Sequence, residues 1–139
     1  MTEPKANPEK GAQVYAADRA HVFHSWSAQA QIKPMTIAGA QGSYFWDYDG
    51  NTYLDFSCQL VFTNIGHQHP KVVKAIQEQA AVLTTVAPQH ANDARNEAAK
   101  RIVDLAGSKF NKVFFTTAGA DAVENAIRMA RIHTGKSKV

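Results

Sequence analysis

The chain has 139 residues, 45% of them hydrophobic and 19% charged, a balance suited to a globular protein able to bury a one-domain core. Its 15 basic and 12 acidic residues are spread along the sequence for a net charge of +3, with no run of like charge that would call for a nucleic-acid or membrane-surface partner. Cys58 is the only cysteine, so no disulfide framework exists within the chain; it is read as a packing residue in a reducing compartment. The polar start, Met1 to Pro8, lacks the apolar region of a signal peptide, and nowhere do about 18 apolar residues run together, so a cytoplasmic protein is expected.

Taken in order, Gly11 to Phe23 predicts a short helix with Val14, Ala17 and His21 on one side, following a frayed tail. His21, His24 and Trp26 come next, and two readings stand open: a pocket lining, or packing and surface. The His spacing fits metal ligation on a helix, but no carboxylate or thiolate set accompanies it, and no metal is expected. Between Met35 and Phe56 the period shortens. Thr36–Ala40, Ser43–Trp46 and Thr52–Phe56 read as strands of a small antiparallel meander, with Asp47-Tyr48-Asp49-Gly50-Asn51 as a hairpin turn whose aspartates cap the backbone. Pro70 then opens a helix with Val72, Ile76, Ala80 and Leu83 on one face, and His67 and His69 flank its start as capping or packing residues. A further helix is expected from the N-cap Asn92 to Ala106, with Ala94, Ala98, Ile102 and Leu105 inward, a Glu97–Arg101 pair outward and Gly107 beyond its end.

Lys112 to Arg131 reads as strand, tight turn and helix without a linker. Val113, Phe114 and Phe115 are consecutive and apolar, which predicts a strand covered on both faces. Ala118, Gly119 and Ala120 leave the turn almost bare of side chains. The helix starts at about Ala120 or Asp121, carries Val123, Ala126, Ile127 and Ala130 as its stripe, pairs Glu124 with Arg128, and stops at Gly135. Such a turn leaves backbone N–H groups aligned for an anion; plain packing at a strand–helix junction is the other reading. The single Gly and the lack of Gly-Lys-Ser/Thr fit neither the dinucleotide nor the P-loop pattern.

Three stretches carry a resemblance. Phe115 to Arg131 resembles the phosphate-cup segment of class III aminotransferases, usually F-x-N-S-G-x-E-A-x-E-x-A-I-x-x-A-R. Gly42 to Phe56 is similar to their G-x-x-l-x-D-x-D-G-x-x-Y-L-D-F, and Asn64 to Gln79 to their N-x-G-H-x-H-P-x-V-x-x-A-I-x-x-Q. The resemblance covers Asp18 to Val139, with the motifs in family order. It implies an α/β fold, the N-terminal part of a fold type I pyridoxal 5′-phosphate (PLP) transferase. Residues 1–65 would be the start of the small domain with its meander, and 66–139 the opening of the large, cofactor-binding domain, incomplete here.

The implied activity is transfer of an amino group from an amino acid or ω-amine donor to a 2-keto acid such as pyruvate, in a cytoplasmic homodimer. The wording lies nearer the taurine:pyruvate and ω-amino acid branch than the ornithine and acetylornithine enzymes. The implied cofactor-binding residues are Ala118, Gly119 and Ala120. Ala118 and Ala120 stand where the family has hydroxyls, so the phosphate would rest on backbone N–H groups. Trp26, Leu60 and Val61 match substrate-pocket positions, and Val86-Ala87-Pro88 a segment that reaches across the dimer. No catalytic residue is assigned: none of the 10 lysines matches the family's Schiff-base lysine, which comes later in sequence. The chain alone is therefore expected to be inactive and to fold poorly. A truncated interaction protein or a cofactor-free phosphate binder is the alternative.

Overall fold

A computed structural model describes residues 5–138, and the chain divides into two units between Thr84 and Thr85. Of the expected frayed tail, residues 1–4 lie outside the described residues.

In the first unit, α1 (Pro8–His21) begins earlier than hydrophobic periodicity indicates, because the Asn7 side chain accepts from the Lys10 amide at 3.1 Å and Pro8 occupies the first turn. A Cβ on Gly11 would lie 2.8 Å from Cβ of Tyr48, so α1 rests directly against the hairpin turn. The Asn7 amide donates to the Tyr48 carbonyl at 2.7 Å and fixes that seat.

β1 (Ile37–Gln41), β2 (Tyr44–Asp47) and β3 (Thr52–Leu54) form the expected antiparallel meander in the order β1-β2-β3. Phe45 faces Tyr53 in register, and their rings stack with centroids 5.2 Å apart. Trp46 pairs with Gly39, where a Cβ would fall 2.7 Å from the indole; the ring lies on bare backbone. The β2–β3 turn is tied by one carboxylate. Asp47 accepts from the amides of Asp49 and Asn51 at 3.0 and 2.9 Å, from Asn51 Nδ2 at 3.0 Å and from the Tyr53 hydroxyl at 2.8 Å. Beyond the sheet come a single left-handed turn, α2 (Cys58–Val61), and α3 (Pro70–Ala80), which ends before Leu83.

The second unit holds α4 (Asp93–Ala106), capped by the Asn92 side chain and ended by Gly107, and α5 (Gly119–Thr134), ended by Gly135 in the left-handed conformation. Glu97 and Arg101 close at 2.7 Å. Glu124 and Arg128 are not among the ion pairs of the described residues; an exposed pair gains little over the hydration of its two charges.

The strand expected at Val113–Phe115 carries no ladder, since no strand among the described residues pairs with it. Phe114 is 62% and Phe115 44% exposed. The expected one-domain core is likewise missing. Among the described residues no apolar side chain is buried, whereas Asp47 and Asp55 are, at 6% and 7% exposure. A three-stranded sheet and separate amphipathic helices have too few facing layers to cover their apolar stripes. Ile102 and Leu105 of α4 and Val123 of α5 therefore face solvent.

Hydrogen bonding from the Asn51 side chain, countered in part by burial and joined by Tyr53 and two amides, holds the Asp47 carboxyl below the usual carboxylate range. A group depressed in this way stabilises the fold fully above its ordinary pKa, and the contribution is lost as pH falls through the lower, folded value. The protection factor of the Asn51 amide, its exchange rate relative to an unstructured amide at the same pH, is expected to be high at neutral pH and to fall as Asp47 is protonated below the ordinary carboxylate range. Asp47→Ala should expose that amide at every pH, and equal protection in the two proteins would exclude the knot.

Candidate functional site

Each unit carries its own part of the candidate site. In the second, α5 begins at Gly119 with Ala118 as N-cap and no side-chain cap hydrogen bond, and its first backbone bond runs from the Ala122 amide to the Ala118 carbonyl at 3.1 Å. The amides of Gly119, Ala120 and Asp121 thus stand free of helical acceptors. A Cβ at Gly119 would meet nothing within 4 Å, so an anion can approach the backbone directly, with the helix dipole in its favour. Ala118, Gly119 and Ala120 are all exposed. The structure brings these three together at a helix start, where the sequence placed them.

Asp121 sits in this first turn, and its negative charge opposes a phosphate. Its Oδ2 accepts from the Thr117 hydroxyl at 2.7 Å, which engages the carboxylate with the preceding loop. Thr116 Oγ1 donates to the Ala118 carbonyl at 3.1 Å and steadies the same bend. Sequence reasoning missed both threonines. The signal was there in the spacing, a hydroxyl four residues before an acidic residue at a helix start, akin to a capping box shifted by one position.

In the first unit, Trp26 stands on a loop with φ 56° and is 94% exposed. The loop is pinned beneath it. His24 Nε2 lies 2.8 Å from Asp18 Oδ2, the His24 amide donates to Gln29 Oε1 at 3.0 Å, and Gln29 Nε2 donates back to the carbonyls of His24 and Ser27 at 2.5 and 2.8 Å. His24 is therefore engaged with a carboxylate, and among the described residues no group of three or more His, Cys, Asp and Glu gathers as a metal would require.

Leu60 and Val61 belong to α2, where Cys58, Gln59, Leu60 and Val61 all have positive φ, from 47° to 64°. Each such residue costs about 1–2 kcal/mol relative to ordinary backbone, and β-branched Val61 is the least suited of them. The turn persists only because its surroundings over-determine it. Those surroundings centre on Asp55, whose carboxylate accepts from His67 Nε2 at 2.6 Å and from the Gln59 amide at 3.2 Å. Burial pushes the Asp55 carboxyl up, but the bonds from His67 and Gln59 outweigh it, and the net position is below the usual range. Cys58 is half-buried in the turn. Trp26, Leu60 and Val61 are each exposed and occupy two separate loops.

A family model for class-III aminotransferases matches residues 26–139. The acetylornithine aminotransferase of Methanopyrus kandleri is 37% identical over 105 residues, 76% of this chain and 27% of that protein. The 5-aminovalerate aminotransferase DavT of Pseudomonas aeruginosa is 37% identical over 114 residues, covering 78% and 26%. Among solved structures, a taurine:2-oxoglutarate aminotransferase from Bifidobacterium kashiwanohense, in complex with PLP and glutamate, superposes with a TM-score of 0.87 at 43% identity, over 92% of this chain and 29% of its own. An S-selective transaminase from Arthrobacter sp. with alanine bound gives 0.82 at 34%, over 95% and 29%. The chain thus spans less than a third of the length of the relatives it matches.

Thr117→Val would release the Asp121 carboxylate toward the free amides and should weaken phosphate binding at this turn by about threefold to tenfold, with Thr117→Ser restoring it. Titration calorimetry on the protein carrying this chain reads the effect, and an unchanged affinity in Thr117→Val would show that the hydroxyl plays no part.

Proposed function

The chain belongs to the class-III aminotransferases, and from that premise we propose that the protein carrying it moves an amino group from an amino donor to a 2-keto acid. Pyridoxal 5′-phosphate is the cofactor of the family, and the fold is that of fold type I, N-terminal portion. When bound, the cofactor supplies an electron-withdrawing ring that accommodates charge while the amino group changes hands.

This chain's part is to hold and to shape. The backbone N–H groups at Gly119 and Ala120 take the cofactor phosphate, with Ala118 as the small residue that lets it approach; the observation that carries this is the uncapped, sterically open start of α5. An all-backbone cradle grips a dianion without adding a cation, and it spends no side-chain entropy in doing so. Trp26, Leu60 and Val61 form one wall of the donor pocket, a reading supported by their exposure on loops that hydrogen bonds hold in shape.

The donor class is an amine remote from its acidic group. Taurine, 5-aminovalerate and acetylornithine, named for three of the relatives, all offer a terminal amine. The family assignment of residues 1–65 to the small domain and 66–139 to the large one belongs to the same proposal, as do a homodimer with Val86-Ala87-Pro88 at its boundary and a cytoplasmic setting that suits the free thiol of Cys58. Among the described residues no helix is long and apolar enough to cross a membrane. None of the 10 lysines is given the covalent role, so the 139 residues by themselves do not transaminate.

Gly119→Asp puts a carboxylate into the cradle and is expected to weaken PLP binding by about 100-fold, the equivalent of about 2.8 kcal/mol; retention of full PLP absorbance after dialysis would refute the cradle. Trp26→Ala should shift relative kcat/KM between bulky and small donors by about tenfold or more while PLP content stays constant. A donor series with unchanged ratios would remove Trp26 from the pocket wall.

A further inference from the structure

The segment from Asp55 to His67 is a closed loop anchored at both ends to the β1–β2 turn of the meander. The Asp55 amide donates to the Ser43 carbonyl at 2.8 Å, while Gly42 and His67 exchange backbone bonds in both directions at 3.0 and 2.7 Å. Within the loop the amides of Cys58, Val61, Thr63 and Gly66 donate to the carbonyls of Asp55, Ser57, Cys58 and Thr63. The Asp55 carboxylate sits inside the loop and takes His67 Nε2, the Gln59 amide and, at 3.5 Å, the hydroxyls of Ser57 and Thr63.

We propose that Asp55 and His67 are a positioning pair that holds the left-handed turn Cys58–Val61 and thereby presents Leu60 and Val61 to the amino donor, setting which donors fit without touching them. This rests on the aminotransferase reading above.

The chemistry of the two side chains fits the task. A carboxylate is an acceptor only, so His67 donates through Nε2, and a neutral imidazole in that tautomer suffices. Two oxygens are needed, because one group must take an imidazole N–H and a main-chain amide together. The amide it takes is that of Gln59, the second residue of the left-handed run, which is where the backbone would otherwise relax toward the ordinary region. With His67 absent, Asp55 has a free oxygen and less reason to stay turned inward. Leu60 and Val61 have no burial of their own to hold them, being 61% and 74% exposed, so their placement depends on the tether.

Cys58 reports on the turn independently of catalysis. In the protein carrying this chain, His67→Ala and Asp55→Ala are expected to raise the alkylation rate of Cys58, followed on its own peptide by mass spectrometry, by about tenfold or more. His67→Gln, whose carboxamide can also donate to Asp55, should stay within about twofold of the unsubstituted rate. The same His67→Ala protein should shift the kcat/KM ratio between bulky and small donors by about tenfold with its PLP content unchanged, and His67→Gln should restore the ratio. Should the alanine variants not fold, amide exchange in the unsubstituted protein decides: Gln59 is expected to be protected by about 100-fold or more.

An alkylation rate unmoved in both alanine variants, or a Gln59 amide exchanging at the unprotected rate, overturns the clamp. Faster alkylation with an unchanged donor ratio overturns its role in specificity. An unsubstituted protein that turns over no donor overturns the aminotransferase reading, and the pocket role with it, while the alkylation and exchange results still judge the clamp.

Discussion

The 2.6 Å hydrogen bond between His67 and the buried carboxylate of Asp55 joins two points of the first unit that the chain separates by a full loop. Between them lie the four residues in the left-handed region and the exposed Leu60 and Val61, and the bond acts beside the backbone pair that His67 makes with Gly42 at the β1–β2 turn. An unpaired buried carboxylate would cost far more than a missing apolar contact, so once formed the arrangement resists partial loss. Asp47 plays the same part at the hairpin turn, where one carboxylate answers two amides, a carboxamide and a phenol. The Tyr53 hydroxyl shows the reciprocal effect. Its hydrogen bond to Asp47 and the nearby negative charge push its pKa up.

Polar knots of this kind suit a piece of structure whose apolar surface is open. Hydrophobic burial is non-directional and needs facing layers, whereas a carboxylate bonded to several amides fixes local geometry by direction alone. The first unit keeps its turn shapes while Phe23, Trp26, Phe56 and Phe62 all stand exposed. Among the described residues the second unit has no comparable knot in its loop between α4 and α5, and there the run Val113–Phe115 has no strand beside it. The difference lies in the kind of partner each segment needs. The hairpin finds its partners within a few residues, and the expected strand requires neighbours from elsewhere.

The open turn at the start of α5 stands between these cases. Its free groups are main-chain amides, supplied by the helix itself, so the uncapped start at Gly119 is present even though the run before it is unpaired. Thr117 adds what the two alanines cannot, a hydroxyl that engages the one acidic side chain in the first turn.

Local patterns in the sequence determined a good deal. Asn92 and Pro70 start their helices, Gly107 and Gly135 end theirs, and Asp47 to Asn51 forms the turn, because caps and turns act over a few residues and leave their mark in residue type, whereas the helix expected from Gly11 starts at Pro8. The motif order was enough to indicate the family. Residue type did not reveal the left-handed run from Cys58 to Val61, since nothing in Cys-Gln-Leu-Val favours positive φ and the cause lies in Asp55 and His67, brought together by the fold. Nor did it reveal that the stripes of α4 and α5 would face solvent. Amphipathic spacing says that a face is apolar; only the tertiary structure decides what, if anything, lies against it, because burial is a property of the assembled layers and not of the helix that carries the stripe.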